Sequence, residues 1–220
     1  MGAKTCMLAF SNGDLPRELA ALPAPDRAGS VAFAAALFPK DKLELLADST
    51  LSNTYIAEDE VLVSRFGTAG IAIAHDFALD RPSQLPPSFL RATVDAQTVC
   101  VHAMHSVVDW FAFAVWKNGV LVRSLSVAPD SGILEDIGDR LPFEMPFWAG
   151  EHSADDPEDL EAGEEPYPIP FHPLELGEVA LREFFGFTIE GVMDADQLNP
   201  EAIALLRFKR KKRSLLSFWK

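Results

Sequence analysis

At 220 residues, with 48% hydrophobic and 24% charged side chains, the chain is long enough to bury a core without disulfides or metals and too apolar to be a disordered polymer. Acids outnumber bases 33 to 19, a formal charge of −14 that repels nucleic acid from most of the surface. The longest uninterrupted apolar run, Trp110–Trp116, has seven residues and is too short to span a bilayer, so no transmembrane segment is expected.

In chain order, Lys4–Phe10 reads as a strand, and its Cys6–Phe10 apolar stretch is too short for a signal-peptide core. Asn12-Gly13-Asp14 is a turn, with Asp14 capping a short helix over 15–22 that Pro23 and Pro25 end. Asp26 caps a second helix, in which Val31, Ala34, Ala35 and Phe38 follow a helical period up to Pro39. One or two short strands are expected within 43–57, and a strand pair, Val61–Phe66 with Gly70–His75, around Gly67-Thr68-Ala69. After a proline-rich loop, Pro86 or Pro87 opens a helix to Thr93.

Residues 97–127 carry the strongest local signal. Thr98–Ala103 is β-rich, and Trp110–Trp116 is apolar on both alternating sets, as a central strand covered on both faces requires. Asn118-Gly119 then joins it to Val120–Val127 in a tight hairpin, because both turn positions favour positive φ. Eight prolines between Pro129 and Pro173 predict a long irregular segment. Pro173 starts a helix with Leu176, Val179, Ala180 and Phe184 inward, a Glu178–Arg182 pair at i, i+4, and Gly186 just past its end. Asn199-Pro200 opens a last helix through Leu206. The fold class is α+β: one domain over 1–206, with a largely antiparallel or mixed central sheet flanked by helices.

Charge is segregated along the chain. Residues 151–165 hold eight acids and no Lys or Arg, and the stretch 153–165 reads as flexible. Residues 207–220 hold seven basic side chains and no acid, leaving the first 206 at a formal −21. That basic-hydrophobic tail suggests a patch (Lys209, Arg210, Lys211, Lys212 and Arg213) for an anionic surface, with Leu215, Leu216, Phe218 and Trp219 able to insert. Its bland counterpart has the cations facing the acidic segment.

Candidate chemistry centres on the histidines. His102 and His105 form an H-x-x-H pair with Asp109 four residues on; on a strand the two rings point to opposite faces, so joint metal binding is not expected. His152 and His172 lie in the irregular segment, His172 just before Pro173 where it can cap a helix, and Trp148 and Glu151 are candidate binding residues. Asp130-Ser131-Gly132 puts a carboxylate and a hydroxyl at a strand end, a pattern that serves a turn as well as catalysis. G-x-S-x-G, Walker A, G-x-G-x-x-G, H-E-x-x-H and C-x-x-C are all missing, and neither cofactor nor metal is implied. Cys6 and Cys100, each in an apolar run, read as buried free thiols of a reducing compartment.

Three stretches carry a family likeness: Met1–Thr5; His102–Phe111 on through Pro129–Gly132; and Trp148–His152 continuing to Pro170–Gly177. On these the chain resembles a family of uncharacterised bacterial proteins, classed as a domain of unknown function and found mainly in high-GC Gram-positive organisms. The resemblance spans most of 1–190, leaves out the tail after about 200, and implies a single domain in a bacterial cytoplasm without transferring any activity. A non-enzymatic binding or regulatory role is the leading expectation, with a basic protein or an anionic surface as partner. The alternative is a small-molecule enzyme, a hydrolase, with a pocket lined by His and Asp.

Overall fold

Ten strands in one antiparallel sheet organise the chain. The computed structural model describes residues 2–155, 163, 165–190 and 197–212. The strands are β1 (Lys4–Ser11), β2 (Asp41–Leu45), β3 (Ser49–Thr50), β4 (Glu60–Phe66), β5 (Ala69–Ile73), β6 (Thr98–His105), β7 (Trp110–Lys117), β8 (Val120–Ala128), β9 (Gly132–Gly138) and β10 (Ala204–Lys212). They lie in the order β2-β10-β4-β5-β1-β6-β7-β8-β9, with β3 pairing on β10. The helices are α1 (Leu15–Ala20), α2 (Arg27–Leu37), α3 (Pro87–Ala92), α4 (Met145–Trp148) and α5 (Pro173–Phe185). None of the described helices is long and apolar enough to cross a membrane.

Strand alternation divides the apolar side chains between two cores, one per face of the sheet. Met7, Ala9, Ile71, Ile73, Phe111, Phe113, Val115, Leu125 and Val127 go to the first, under α1, α5 and the segment that carries Phe147, Ile169 and Phe171. Leu8, Phe10, Val61, Val63, Ala72, Ala114, Trp116 and Phe208 go to the second, under α2, α3, Phe77 and Leu85. The doubly apolar run Trp110–Trp116 therefore is a central strand, as expected. Asn118 and Gly119 take φ of 50° and 77°, the primed turn that matches strand twist. The caps also form: the Asp14 carboxylate accepts from Arg17 N–H and the Asp26 carboxylate from Gly29 N–H.

Three expectations need correction. The segment 129–173 is not wholly irregular, because Gly132–Gly138 pairs with β8 as an edge strand and Met145–Trp148 is helical. In α5 the buried stripe is Leu176, Gly177, Ala180, Leu181 and Phe185, while Val179 is 36% exposed. The last helix is a single 3-10 turn, Pro200–Ala202, followed by β10, so a boundary at residue 206 cuts through a strand held between β4 and β2. The stretch expected to be flexible falls at 156–162 and 164 outside the described residues.

Candidate functional site

The His102–His105 pair is split by the sheet. His102 is fully buried and faces α5. Thr5 Oγ1 lies 2.8 Å from Nδ1, and the Gly177 carbonyl lies 2.8 Å from Nε2. A carbonyl can only accept, so Nε2 carries the proton and Nδ1 accepts from the threonine hydroxyl. Burial pushes the ring down to about 4, neutral in use. Gly177 is what lets the helix come this close: a Cβ there would sit 3.1 Å from both Met104 Sδ and Phe111 Cδ2. His102 is a strut between sheet and helix.

His105 is on the other face, directly opposite Trp110 in the β6–β7 pair. Its Nδ1 accepts from Val107 N–H at 3.3 Å, which leaves Nε2–H outward. Partial burial and then the Lys4 ammonium hold its pKa below the ordinary imidazole value. His105 and Trp110 line an open cleft of about 540 Å³ with Asp80, Val108, Asp130 and Ser131. The indole N–H donates to Ser126 Oγ at 3.1 Å, so the ring is fixed as a wall. Beneath the same face Ser124 Oγ donates to Glu135, which also accepts Ser83 N–H at 2.9 Å and Ser83 Oγ–H at 2.5 Å. This buried network pins the Pro82–Gln84 turn on β8 and β9, and with it the loop that supplies Asp80.

On the opposite side of the same sheet end, Asp109 takes φ of 45° in the β6–β7 turn. Its carboxylate lies 3.8 Å from His172 Nε2. The expected capping role of His172 is what the ring performs, since its Nδ1 accepts from Leu174 N–H at 3.3 Å. Tyr167 stacks on His172 at 5.8 Å with its hydroxyl buried and unpartnered among the described residues. Burial raises the phenol pKa, and the Asp109 and Asp130 charges add to it.

Five sequence candidates thus gather at one end of the sheet: His105, Asp109, Asp130, Ser131 and His172. The others are elsewhere. His102 is inside. His152 stacks on Phe147 at 4.3 Å. Trp148 packs edge-on against Phe171 with the Arg140 guanidinium 4.1 Å above its ring. Glu151 is exposed at the surface, its backbone N–H donating to the Pro146 carbonyl. Four of the tail cations are spent within the fold. Arg207 forks onto Glu60 at 2.9 Å, Lys209 meets Asp59 at 2.7 Å and Lys211 meets Glu44 at 2.6 Å. Arg210 joins Asp41 at 2.9 Å and also pairs with Asp76. Lys212 pairs by its backbone with Asp41 in the β10–β2 ladder, and Arg213 lies outside the described residues with 214–220. Asp80, Trp110 and Tyr167 were missed as site residues. For Trp110 a signal existed, because a four-residue turn over 106–109 sets it across from His105.

Fold and site together define an α+β protein of one antiparallel sheet, covered on both faces, with an aromatic and acidic cleft at one sheet end. Residues 5–208 match the model of a family of unknown function, DUF6928, and the chain belongs to that family. The match passes the limit near 190 that the sequence resemblance suggested and takes in the start of β10. No curated protein and no solved structure matches the chain.

Proposed function

We propose that the chain is a non-enzymatic binding protein of the bacterial cytoplasm, whose cleft takes a cationic group from a basic protein partner. The observation that carries this reading is the state of the two imidazoles at the sheet end. His105 and His172 each spend their acceptor nitrogen on a backbone N–H, which leaves a donor and no base. What remains in the cleft is the fixed indole of Trp110 together with the Asp80 and Asp130 carboxylates, the combination that attracts an ammonium or guanidinium. The excess of acids over the rest of the surface would steer such a partner in.

Titration calorimetry of the full chain with a lysine- and arginine-rich peptide tests this at low salt. Saturable binding is expected, weakened about tenfold by Asp130→Asn and again by Trp110→Phe, and falling steeply with ionic strength. A peptide that does not bind, or binds both variants as well as the parent, overturns it. The hydrolase reading draws support from the shared cleft of His105, Asp130 and Ser131. Turnover of a simple ester that Ser131→Ala abolishes would favour it instead.

A further inference from the structure

At the far end of the sheet from this cleft, Arg65 is a cation without an anion beside it among the described residues. Its backbone is held firmly: the N–H donates to Ser30 Oγ at 2.9 Å and the carbonyl accepts from Asp26 N–H at 2.9 Å. Its guanidinium lies over the Phe10 ring at 5.5 Å. Among the described residues its side chain makes a single long contact, to the Gly67 carbonyl at 3.5 Å, and the buried Nε has no acceptor. Among the described residues no carboxylate lies within 4.0 Å of it. Arg27, Arg123, Arg207 and Arg210 each meet a carboxylate. In a chain with 33 acids, a partly buried arginine without one calls for an explanation.

The guanidinium borders a cavity of about 170 Å³ lined also by Phe10, Asn12, Thr68, Thr93 and Asp95. Asn12 Oδ1 accepts Gln97 N–H at 2.8 Å, which assigns the other arm of this side chain as the NH2 donor. The Thr93 hydroxyl donates to the Leu90 carbonyl at 3.0 Å. Thr68 adds a hydroxyl. Asp95, also in the lining, is the feature that opposes an anion. The platform is made to fit. Phe10 is fixed edge-on to Phe33 at 5.0 Å, and a Cβ at Gly70 would come within 2.5 Å of the Phe10 ring. Only glycine at position 70 leaves the aromatic seat under Arg65 in place.

We infer that Arg65, with the amide of Asn12 and the hydroxyl of Thr68, forms a binding site for a small oxyanion: the carboxylate or phosphate group of a small molecule. A planar guanidinium resting on an aromatic ring presents its fork to such a group, and a buried Nε–H gains an acceptor only when one is bound. The site stands apart from the cleft and does not depend on the function proposed for it.

Arginine Nε–Hε resonances of the labelled full-length protein report on this atom directly. Separate titrations with inorganic phosphate and with acetate are expected to shift the Arg65 Nε–Hε peak saturably with at least one of them. Response to phosphate alone assigns a phosphorylated ligand, response to acetate alone a carboxylate. Arg65→Gln should abolish saturable changes around Asn12 and Thr68, and Arg65→Lys, which keeps the charge and loses the fork, should weaken binding about tenfold. Gly70→Ala is expected to weaken it without touching a donor. Drift that never saturates with either anion, or saturable shifts at Asn12 and Thr68 that survive in Arg65→Lys at unchanged affinity, would overturn the assignment.

Discussion

A histidine sealed between a strand and a helix makes stability depend on pH in a way a single side chain can reveal. His102 titrates near 4 in the fold against an ordinary value near 6.5, so the unfolded chain binds the proton first as pH falls. A depressed imidazole pKa means that stability is fully present above the unfolded value and is lost as pH drops through the window from about 6.5 to about 4, by about 1.4 kcal/mol per unit. The many carboxylates titrate in the same range, so the informative quantity is a difference. His102→Gln can still bridge Thr5 and Gly177 but cannot take up a proton. The gap in urea-unfolding free energy between parent and variant should therefore narrow by about that slope as pH falls from 6.5 to 4. A gap that stays constant would show that His102 does not titrate as its burial implies.

Among elements, the crossing from β9 to α4 is held by a buried ion network. Arg123 on β8 and Glu144 are both fully buried. The pair is bidentate, Nε to Oε1 at 2.9 Å and NH2 to Oε2 at 2.6 Å. NH1 reaches Asp136 at 2.5 Å and the Ile137 and Gly138 carbonyls at 3.1 and 3.2 Å. Glu144 also accepts Leu141 N–H at 2.7 Å, so this carboxylate fixes the crossing of the chain from β9 to α4. Replacing it with alanine leaves Nε and NH2 of the buried guanidinium without their carboxylate, at a cost of about 3–5 kcal/mol. At this length that is a loss of roughly 6–20 °C in Tm by calorimetry. The paired replacement Arg123→Met with Glu144→Leu should recover most of that loss, since two apolar side chains of similar size leave no buried charge unmatched. A double variant as unstable as the single one would mean the network does more than neutralise itself.

Across the whole molecule, what could be read from the sequence is what a few adjacent residues determine. Asp14, Asp26, Asn118-Gly119 and Pro173 with Gly186 act within a turn of chain, and all appear in the fold as read. The partners of β10 are out of that range: Arg207 meets Glu60 across 147 residues, Arg210 meets Asp41 across 169, and Lys211 meets Glu44 across 167. Read alone, that basic run lacks its counter-charges and resembles a solvated tail. The site was half legible for the same reason, because residue types were visible but the register that sets Trp110 against His105, and the isolation of Arg65, exist only in three dimensions. The charge asymmetry along the chain is therefore an interlock, with the last described strand bringing cations to the acidic edge formed by β2, β4 and the loops at Asp59 and Asp76. Ending the chain at 206 would leave Glu60, Asp41 and Asp76 without their cations and open the β4 backbone to solvent as a bare edge. Such a truncation is expected to lose its cooperative melt and to scatter light on expression. The exposed pair Lys211–Glu44, broken alone by Lys211→Ala, should leave the melting temperature close to that of the parent. A truncated chain that still melts cooperatively near the parent temperature by circular dichroism would make residues after 206 an appendage after all.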